Sequence, residues 1–278
     1  MNKWCIVGLG FIAQRHIDAI KDIGDELILA CDIDVTKAQK VPGIPFITDY
    51  RKLPEHHLWE QVNWVAVCTP NCLHYDMIQF ARRRGKRVLC EKPLVIREEH
   101  LRDLDEDVYT VLQLRHNEEI KELKNEIDEV LSENRQVMYH GQLTMCVHRD
   151  DFYFEGWKGD KNKSGDLLYN IGIHYIDLLC YLFDKSNATL FITKQSEKSI
   201  QGVFNIRYIA NITWKISIDA PKDNQIRQLR IGEKVISLDR NFENLHMKVY
   251  EQTVLGKGVT AKEAGRAIKL IQHAVHCG

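Results

Sequence analysis

Four short runs of uninterrupted apolar residues recur through the first 90 positions: Trp4-Cys5-Ile6-Val7, Leu27-Ile28-Leu29-Ala30-Cys31, Trp64-Val65-Ala66-Val67-Cys68 and Val88-Leu89-Cys90. A strand that alternates polar and apolar residues can face water on one side, whereas a strand apolar at every position must be covered on both. Residues 12–23 and 73–84, which lie between the runs, carry apolar positions at helical spacing and can supply the covers. Strand and helix in alternation predict a parallel, doubly wound sheet with right-handed crossovers, whose ligands bind at the carboxyl ends of its strands. The rhythm persists to about residue 113 and defines an N-terminal α/β domain, residues 1–113.

From residue 114 the pattern changes, and residues 114–278 are expected to form a second, α+β domain. Asn117 is placed to cap a helix over 118–131. Ile206, Tyr208, Ala210, Ile212, Trp214, Ile216 and Ile218 occupy successive even positions among mostly polar odd ones, which predicts a half-buried antiparallel strand over 205–219. Residues 137–147 repeat the alternation more weakly. An open, mostly antiparallel sheet follows, with one face left to solvent or to another subunit. Thr260-Ala-Lys-Glu263 has the spacing of a capping box and opens a final helix, about 260–276, that can pack back on the first domain.

The balance of charge excludes some partners. A formal net charge of -1 gives no electrostatic case for nucleic acid, and Arg82-Arg83-Arg84 reads as the solvated end of a helix. No apolar run approaches the eighteen or so residues of a membrane span. Met1-Asn2-Lys3-Trp4 leads straight into a strand, so the expectation is a cytoplasmic chain with no membrane association. Cys5, Cys31, Cys68 and Cys90 fall in the apolar runs and read as reduced core residues. Cys68-x-x-x-Cys72-x-His74 lacks the second pair of ligands that structural zinc sites use, and no metal is expected.

Three segments carry chemistry. Gly8-x-Gly10-x-x-Ala13 follows a strand and opens a helix. Gly8 permits the tight turn, Gly10 lets the backbone approach a pyrophosphate, and Ala13 keeps the helix close, as in the Rossmann dinucleotide fold. Asp32, ending the second strand about twenty residues on, is placed to accept hydrogen bonds from ribose hydroxyls and to repel a 2′-phosphate; with Ile33 beside it, NAD is expected over NADP. Thr69-Pro70-Asn71 follows the strand that ends at Cys68, and Glu91-Lys92-Pro93 follows the one that ends at Cys90, where Lys92 would project into the cleft. Asn170, His174 and Asp177, spaced four and three apart in a largely apolar helix, would share one face. A histidine titrates near ~6.5 in ordinary surroundings and suits a general base, while Lys92 would stabilise the charge developing on the same oxygen, although the two roles can be exchanged.

Together these segments resemble the glucose-fructose oxidoreductase/inositol dehydrogenase/MocA family of NAD(P)-dependent dehydrogenases, and the likeness covers nearly the whole chain. It implies NAD binding by Gly8, Gly10, Phe11, Ile12, Asp32, Thr69, Pro70, Asn71, His74, Glu91 and Lys92, and catalysis by Lys92 and His174. Within the family, residues 112–117, Trp157-Lys158-Gly159-Asp160 and 169–177 are most similar to the UDP-N-acetyl-2-amino-2-deoxyglucuronate 3-dehydrogenases. That branch implies oxidation of the C3 hydroxyl of a UDP-sugar, UDP-N-acetylglucosaminuronate first, in surface-polysaccharide biosynthesis, with an aminotransferase acting on the ketone. Asn170, Asp177, Arg115, His116, Trp157, Lys158 and Lys163 are then candidates for substrate contacts, Arg115, Lys158 and Lys163 for the carboxylate and diphosphate. The resemblance also implies a homodimer or homotetramer, and in some relatives 2-oxoglutarate as the final hydride acceptor. Competing readings are UDP-N-acetylglucosamine, a free sugar or inositol as substrate, or a non-catalytic NAD-dependent sensor; the presence of both Lys92 and His174 speaks against the last.

Overall fold

The computed structural model describes residues 1–133, 137–184, 187–239 and 244–277. They fall into two compact units, one of Met1–Val95, Glu99–Val111 and Glu243–Ala264, the other of Ile96–Glu98, Leu112–Phe242 and Gly265–Gly278.

The first unit carries the predicted parallel sheet. Its strands are β1 (Lys3–Val7), β2 (Glu26–Cys31), β3 (Phe46–Ile47), β4 (Trp64–Val67), β5 (Arg87–Cys90) and β6 (Val108–Thr110), with helices α1 (Ala13–Asp22) and α2 (His74–Arg82). Spatially they run β6-β5-β4-β1-β2-β3, every neighbouring pair parallel. Strand order reverses between β1 and β4, the switch point beside which such sheets bind ligands, and the loops after those two strands carry Gly8 and Thr69. The strands are buried on both faces as their composition requires; Trp4 and Trp64 stack at 5.2 Å across the β1/β4 pair, an arrangement worth about 0.5–1.5 kcal/mol beyond its area. Cys5, Cys31, Cys68 and Cys90 are buried here as free thiols.

The second unit opens with α3 (Glu118–Ser132), capped as expected by Asn117, whose side chain accepts from Ile120 N–H at 3.3 Å. Then come β7 (Tyr139–Cys146), α4 (Lys161–Ser164), α5 (Ile173–Phe183), β8 (Thr189–Gln195), β9 (Ser199–Ile206), β10 (Ala210–Ser217), β11 (Ile226–Ile231) and β12 (Lys234–Ser237). The single strand expected over 205–219 is instead a hairpin: β9 and β10 pair antiparallel across a turn where Tyr208 has φ +63°. The alternation survives the reversal because Ile206 pairs with Ala210, so even positions on both arms keep the same face. Parity alone cannot reveal such a turn.

The chain then returns to the first unit with α6 (Leu245–Val254) and β13 (Val259–Thr260), the latter antiparallel to β6. The capping box forms: Thr260 N–H donates to Glu263 at 3.0 Å and Glu263 N–H to the Thr260 hydroxyl at 3.4 Å. The helix it opens, α7 (Ala261–Gln272), ends about four residues earlier than expected, because β14 (Val275–His276) follows and pairs with β8. The second sheet is thus mixed, order β12-β11-β7-β10-β9-β8-β14, parallel only at β7/β10 and β8/β14. Among the described residues no helix is long and apolar enough to cross a membrane.

Candidate active site

In the first unit the turn after β1 is built for close approach. Gly8 has φ +94°, and a Cβ there would lie 2.7 Å from the Cys68 carbonyl, so the β1 and β4 loops can touch only because the side chain is missing. At Gly10 no atom lies within 4 Å of where a Cβ would stand, which leaves the backbone open to a ligand at the start of α1. Asp32 ties this turn down: one carboxylate oxygen accepts from Leu9 N–H at 2.6 Å and the other from Asp34 N–H at 2.9 Å. Capping of the next helical turn falls to Asp34, which accepts from Thr36 N–H at 3.0 Å. Lys40 spans the loop from below, its ammonium 2.9 Å from Leu9 O and 2.8 Å from Gly10 O. Phe11 and Ile33 are exposed and Ile12 half-buried. A glycine cradle, a helix N-terminus and a carboxylate at the end of β2 are the donor and acceptor set that a dinucleotide needs.

The ends of β4 and β5 are held from inside. Thr69 and Pro70 are half-buried, Asn71 is buried, and the Thr69 hydroxyl lies buried without a partner among the described residues. His74 is wholly buried between Pro93 O at 2.7 Å and Thr69 O at 2.9 Å, and burial lowers its pKa against the pull of those carbonyls. It staples the Thr69 loop to the Lys92-Pro93 turn. Glu91 is also turned inward: Oε1 lies 2.9 Å from His16 Nε2, and Oε2 accepts from Lys92 N–H at 3.1 Å. Desolvation opposes its charge, yet His16, His246 and Lys92 together bring the carboxyl well below the usual range. His74 and Glu91, expected to contact the cofactor, both make hydrogen bonds within the protein with these polar atoms. Lys92 is half-buried.

In the second unit, residues Leu168–Gly172 wind as a π-helical turn before α5, so Asn170 and His174 do not follow regular α spacing. The turn is started by Asp166, at φ +78°, which accepts from Leu168 N–H at 2.8 Å. Gly172 lets it press on β10, for a Cβ would lie 2.9 Å from Ile216. His174 is half-buried. Asp177 does not share its setting: it is 1% exposed and takes a two-pronged ion pair from Arg115 at 2.9 and 2.7 Å. Arg115 and Asp177, both expected at the substrate, are joined to each other here, and a buried pair of this geometry fixes α5 to the segment before α3. His116 is buried, Trp157 half-buried, and Lys163 exposed with Asp160 at 3.4 Å.

Asn170 opens onto a cavity of about 370 Å³ lined also by Tyr153, Phe154, Lys158, Lys161 and Lys198. Asn170 donates to the Tyr153 hydroxyl at 2.8 Å. The Lys158 ammonium stands 4.7 Å from the centre of the Tyr153 ring, and that of Lys198 5.8 Å from the Phe154 ring. Burial, with the charge of Arg149, lowers the Lys158 pKa. Ammonium groups held beside aromatic faces in a cavity offer charge to an anionic ligand and apolar area to its neighbouring groups. Sequence reasoning named Asn170 and Lys158 but not Tyr153 or Lys198, which lie on separate elements and carry no motif. His16, His246, Tyr250 and Lys40 were missed for the same reason.

The chain matches an oxidoreductase family with an NAD-binding Rossmann fold over residues 2–111, and that family's C-terminal alpha/beta domain over residues 129–218. It is 30% identical to the WlbA (WbpB) dehydrogenase from Thermus thermophilus, solved with NAD and UDP-GlcNAcA, over 97% of this chain and 93% of that one, with a TM-score of 0.86. The same protein solved with NAD and alpha-ketoglutarate superimposes with a TM-score of 0.85, at 30% identity over 96% of this chain and 93% of that one. A curated relative, the glucose-6-phosphate 3-dehydrogenase of Bacillus subtilis (strain 168), is 25% identical over 98% of this chain and 73% of its own length.

Proposed function

The chain belongs to the GFO/IDH/MocA family of NAD-binding oxidoreductases, and from that premise we propose that it oxidises the C3 hydroxyl of a UDP-N-acetyl-amino sugar, UDP-N-acetylglucosaminuronate first. It is an NAD-dependent sugar dehydrogenase. The observation that carries the finer reading is the cavity beside Asn170, where two ammonium groups lie over aromatic rings. A nucleotide sugar with a carboxylate offers the negative charge and the flat base that such a surface recognises, whereas inositol offers neither.

Bound NAD supplies the hydride acceptor, the C4 of its nicotinamide. His174 takes the proton of the reacting hydroxyl, and Lys92 donates a hydrogen bond to the oxygen as negative charge grows on it. Asn170, held by Tyr153, orients the sugar, and Lys158 and Lys198 pair with its acidic groups. The ketone so formed is the chemical class that an aminotransferase consumes. 2-Oxoglutarate as final acceptor and a homodimer or homotetramer built on the open face of the second sheet belong to the same reading.

The test is turnover of UDP-N-acetylglucosaminuronate, UDP-N-acetylglucosamine, glucose 6-phosphate and inositol with NAD, in the presence and absence of 2-oxoglutarate. Product is read by mass as the loss of two hydrogens, so that reoxidation of the cofactor in place does not hide it. The uronate should react best, and Lys92→Ala and His174→Asn should each lower turnover by about two to four decades. Preferred turnover of inositol would remove the nucleotide-sugar assignment. NAD binding with no turnover of any of the four would favour a sensor.

A further inference from the structure

Behind Lys92 lies a chain of buried polar groups that joins residues from both ends of the sequence. His16 on α1 is wholly buried, its Nδ1 2.7 Å from the Tyr250 hydroxyl and its Nε2 2.9 Å from Glu91. Burial lowers the His16 pKa more than the hydrogen bond and charge of Glu91 raise it, so the ring is neutral. A carboxylate can only accept, which assigns the tautomer. Nε2–H therefore donates to Glu91, and Nδ1 accepts from the Tyr250 hydroxyl. His246, on the same helix as Tyr250, approaches Glu91 at 3.8 Å from the other side, edge-on to the His16 ring. Tyr250 is fixed in turn by packing 4.8 Å from Trp4.

We propose that Glu91 is a positioning residue for Lys92, and that α6 is carried back to the first sheet to brace it. The remaining carboxylate oxygen accepts the Lys92 N–H at 3.1 Å, so the relay runs Tyr250 O–H to His16, His16 N–H to Glu91, and Lys92 N–H to Glu91. Each bond polarises the next, and His16, Glu91 and Tyr250 are buried where solvent does not readily replace a lost partner. The relay fixes the backbone from which the Lys92 side chain departs, while His74 holds the following residue through Pro93 O. Without α6 the carboxylate would lose its support 234 positions away in sequence from the first histidine. The inference rests on the reading of Lys92 as catalytic.

Ligating atoms of His16, Glu91 and His246 lie within 4.8 Å of one another, so a divalent metal is the rival occupant. Hydrogen bonding accounts better for the contacts, because both His16 nitrogens have partners at hydrogen-bond distance and a metal would have to displace the His16 to Glu91 bond.

The test compares Glu91→Ala, Glu91→Gln, Tyr250→Phe and Lys92→Ala with the unaltered protein in kcat, sugar KM, NAD affinity and melting temperature. Glu91→Ala should lower kcat by about tenfold to a hundredfold, with NAD affinity and sugar KM within about twofold, the signature of a misplaced reacting group. Glu91→Gln, which still offers an acceptor to Lys92 N–H, should recover much of that loss. Tyr250→Phe, which deletes only the hydroxyl, should lower kcat in the same sense by a smaller factor. Should Glu91→Ala fail to fold, the two near-isosteric variants decide the matter. Unchanged kcat in Glu91→Gln and Tyr250→Phe, or a loss of NAD affinity equal to the loss of turnover, overturns the proposal. Normal turnover in Lys92→Ala would instead remove the catalytic reading beneath it. Stoichiometric zinc in the purified protein, lost in His246→Ala, would replace the relay with a metal site.

Discussion

Asp32→Ala separates two functions of one carboxylate. Asp32 accepts from Leu9 N–H at 2.6 Å and Asp34 N–H at 2.9 Å, and in the function proposed above it also meets the cofactor ribose. A hydrogen bond to a charged group is worth about 1.5–3 kcal/mol, and with solvent reaching this partly exposed side chain the lower figure applies. Loss of two such bonds removes about 2–3 kcal/mol from the turn, which for a chain of this size lowers the melting temperature by roughly 4–12 °C. The ribose contacts add a further loss for NAD of about tenfold to a hundredfold, since each 1.4 kcal/mol is a factor of ten, whereas NADP is relieved of charge repulsion. Isothermal titration with both cofactors and melting curves without them divide the effect. The loss shared by NAD and NADP reads the anchoring of Leu9, and the change in their ratio reads the ribose. An unchanged ratio with a lowered melting temperature would show that Asp32 only anchors the turn. Unchanged affinities and unchanged melting together would refute both halves of the argument.

Acid should destabilise the protein before its carboxylates titrate. The folded pKa of His16 is lowered, so between its ordinary value near ~6.5 and that lower value the unfolded chain binds a proton that the folded chain refuses, and stability falls as pH falls, by up to about 1.4 kcal/mol per pH unit. Glu91, Tyr250, His246 and Arg15 face this group, and the lowered carboxyl of Glu91 adds a further loss in the same direction at still lower pH. Denaturant melts from pH 7.5 to 5 should show the slope, and His16→Asn should flatten it; equal slopes would mean that His16 is charged in the folded protein. Arg115→Ala should cost about 3–5 kcal/mol, because it leaves the Asp177 carboxyl at 1% exposure without its ion-pair partner, and Arg115→Met with Asp177→Leu should restore much of it. A raised sugar KM with unaltered stability would return Arg115 to substrate binding.

The first sheet was legible because its constraint is local. An all-apolar run bounded by glycine or a polar turn leaves a strand little freedom about which faces are covered, and β1, β2, β4 and β5 follow those runs closely. Asn117 and Thr260 were legible for the same reason, as a cap needs only its next three residues. The hairpin at Tyr208 was not, since a turn that preserves parity leaves no mark on a period of two. The π-turn at Leu168–Gly172 was not legible either: it depends on Asp166 in a left-handed conformation and on Gly172 fitting against Ile216, and that contact is tertiary. Motif residues were found, but their partners were not, for no spacing rule links His16 to Tyr250 or Asn170 to Tyr153.

That failure has a physical cause which bears on how the site works. A polar residue in a motif can either touch a ligand or hold another residue still, and the sequence records only that a polar group is present. Burial and partner count distinguish the two. His74, Glu91 and Asp177 have their hydrogen-bonding atoms engaged by buried partners, and a ligand could reach them only by breaking bonds that nothing would replace. Lys92 and His174 are half-buried, and Lys158 is partly desolvated over a ring, so solvent reaches these three more readily than it reaches His74 or Asp177. In the function proposed above, the acidic groups of the substrate meet the cations of the second unit's cavity, where Lys158, Lys161 and Lys198 stand beside Tyr153 and Phe154. Recognition by several point charges, in place of one forked guanidinium, tolerates different anion geometries. Discrimination between a uronate and its neutral counterpart should therefore rest on net charge more than on the angle at which the carboxylate is presented.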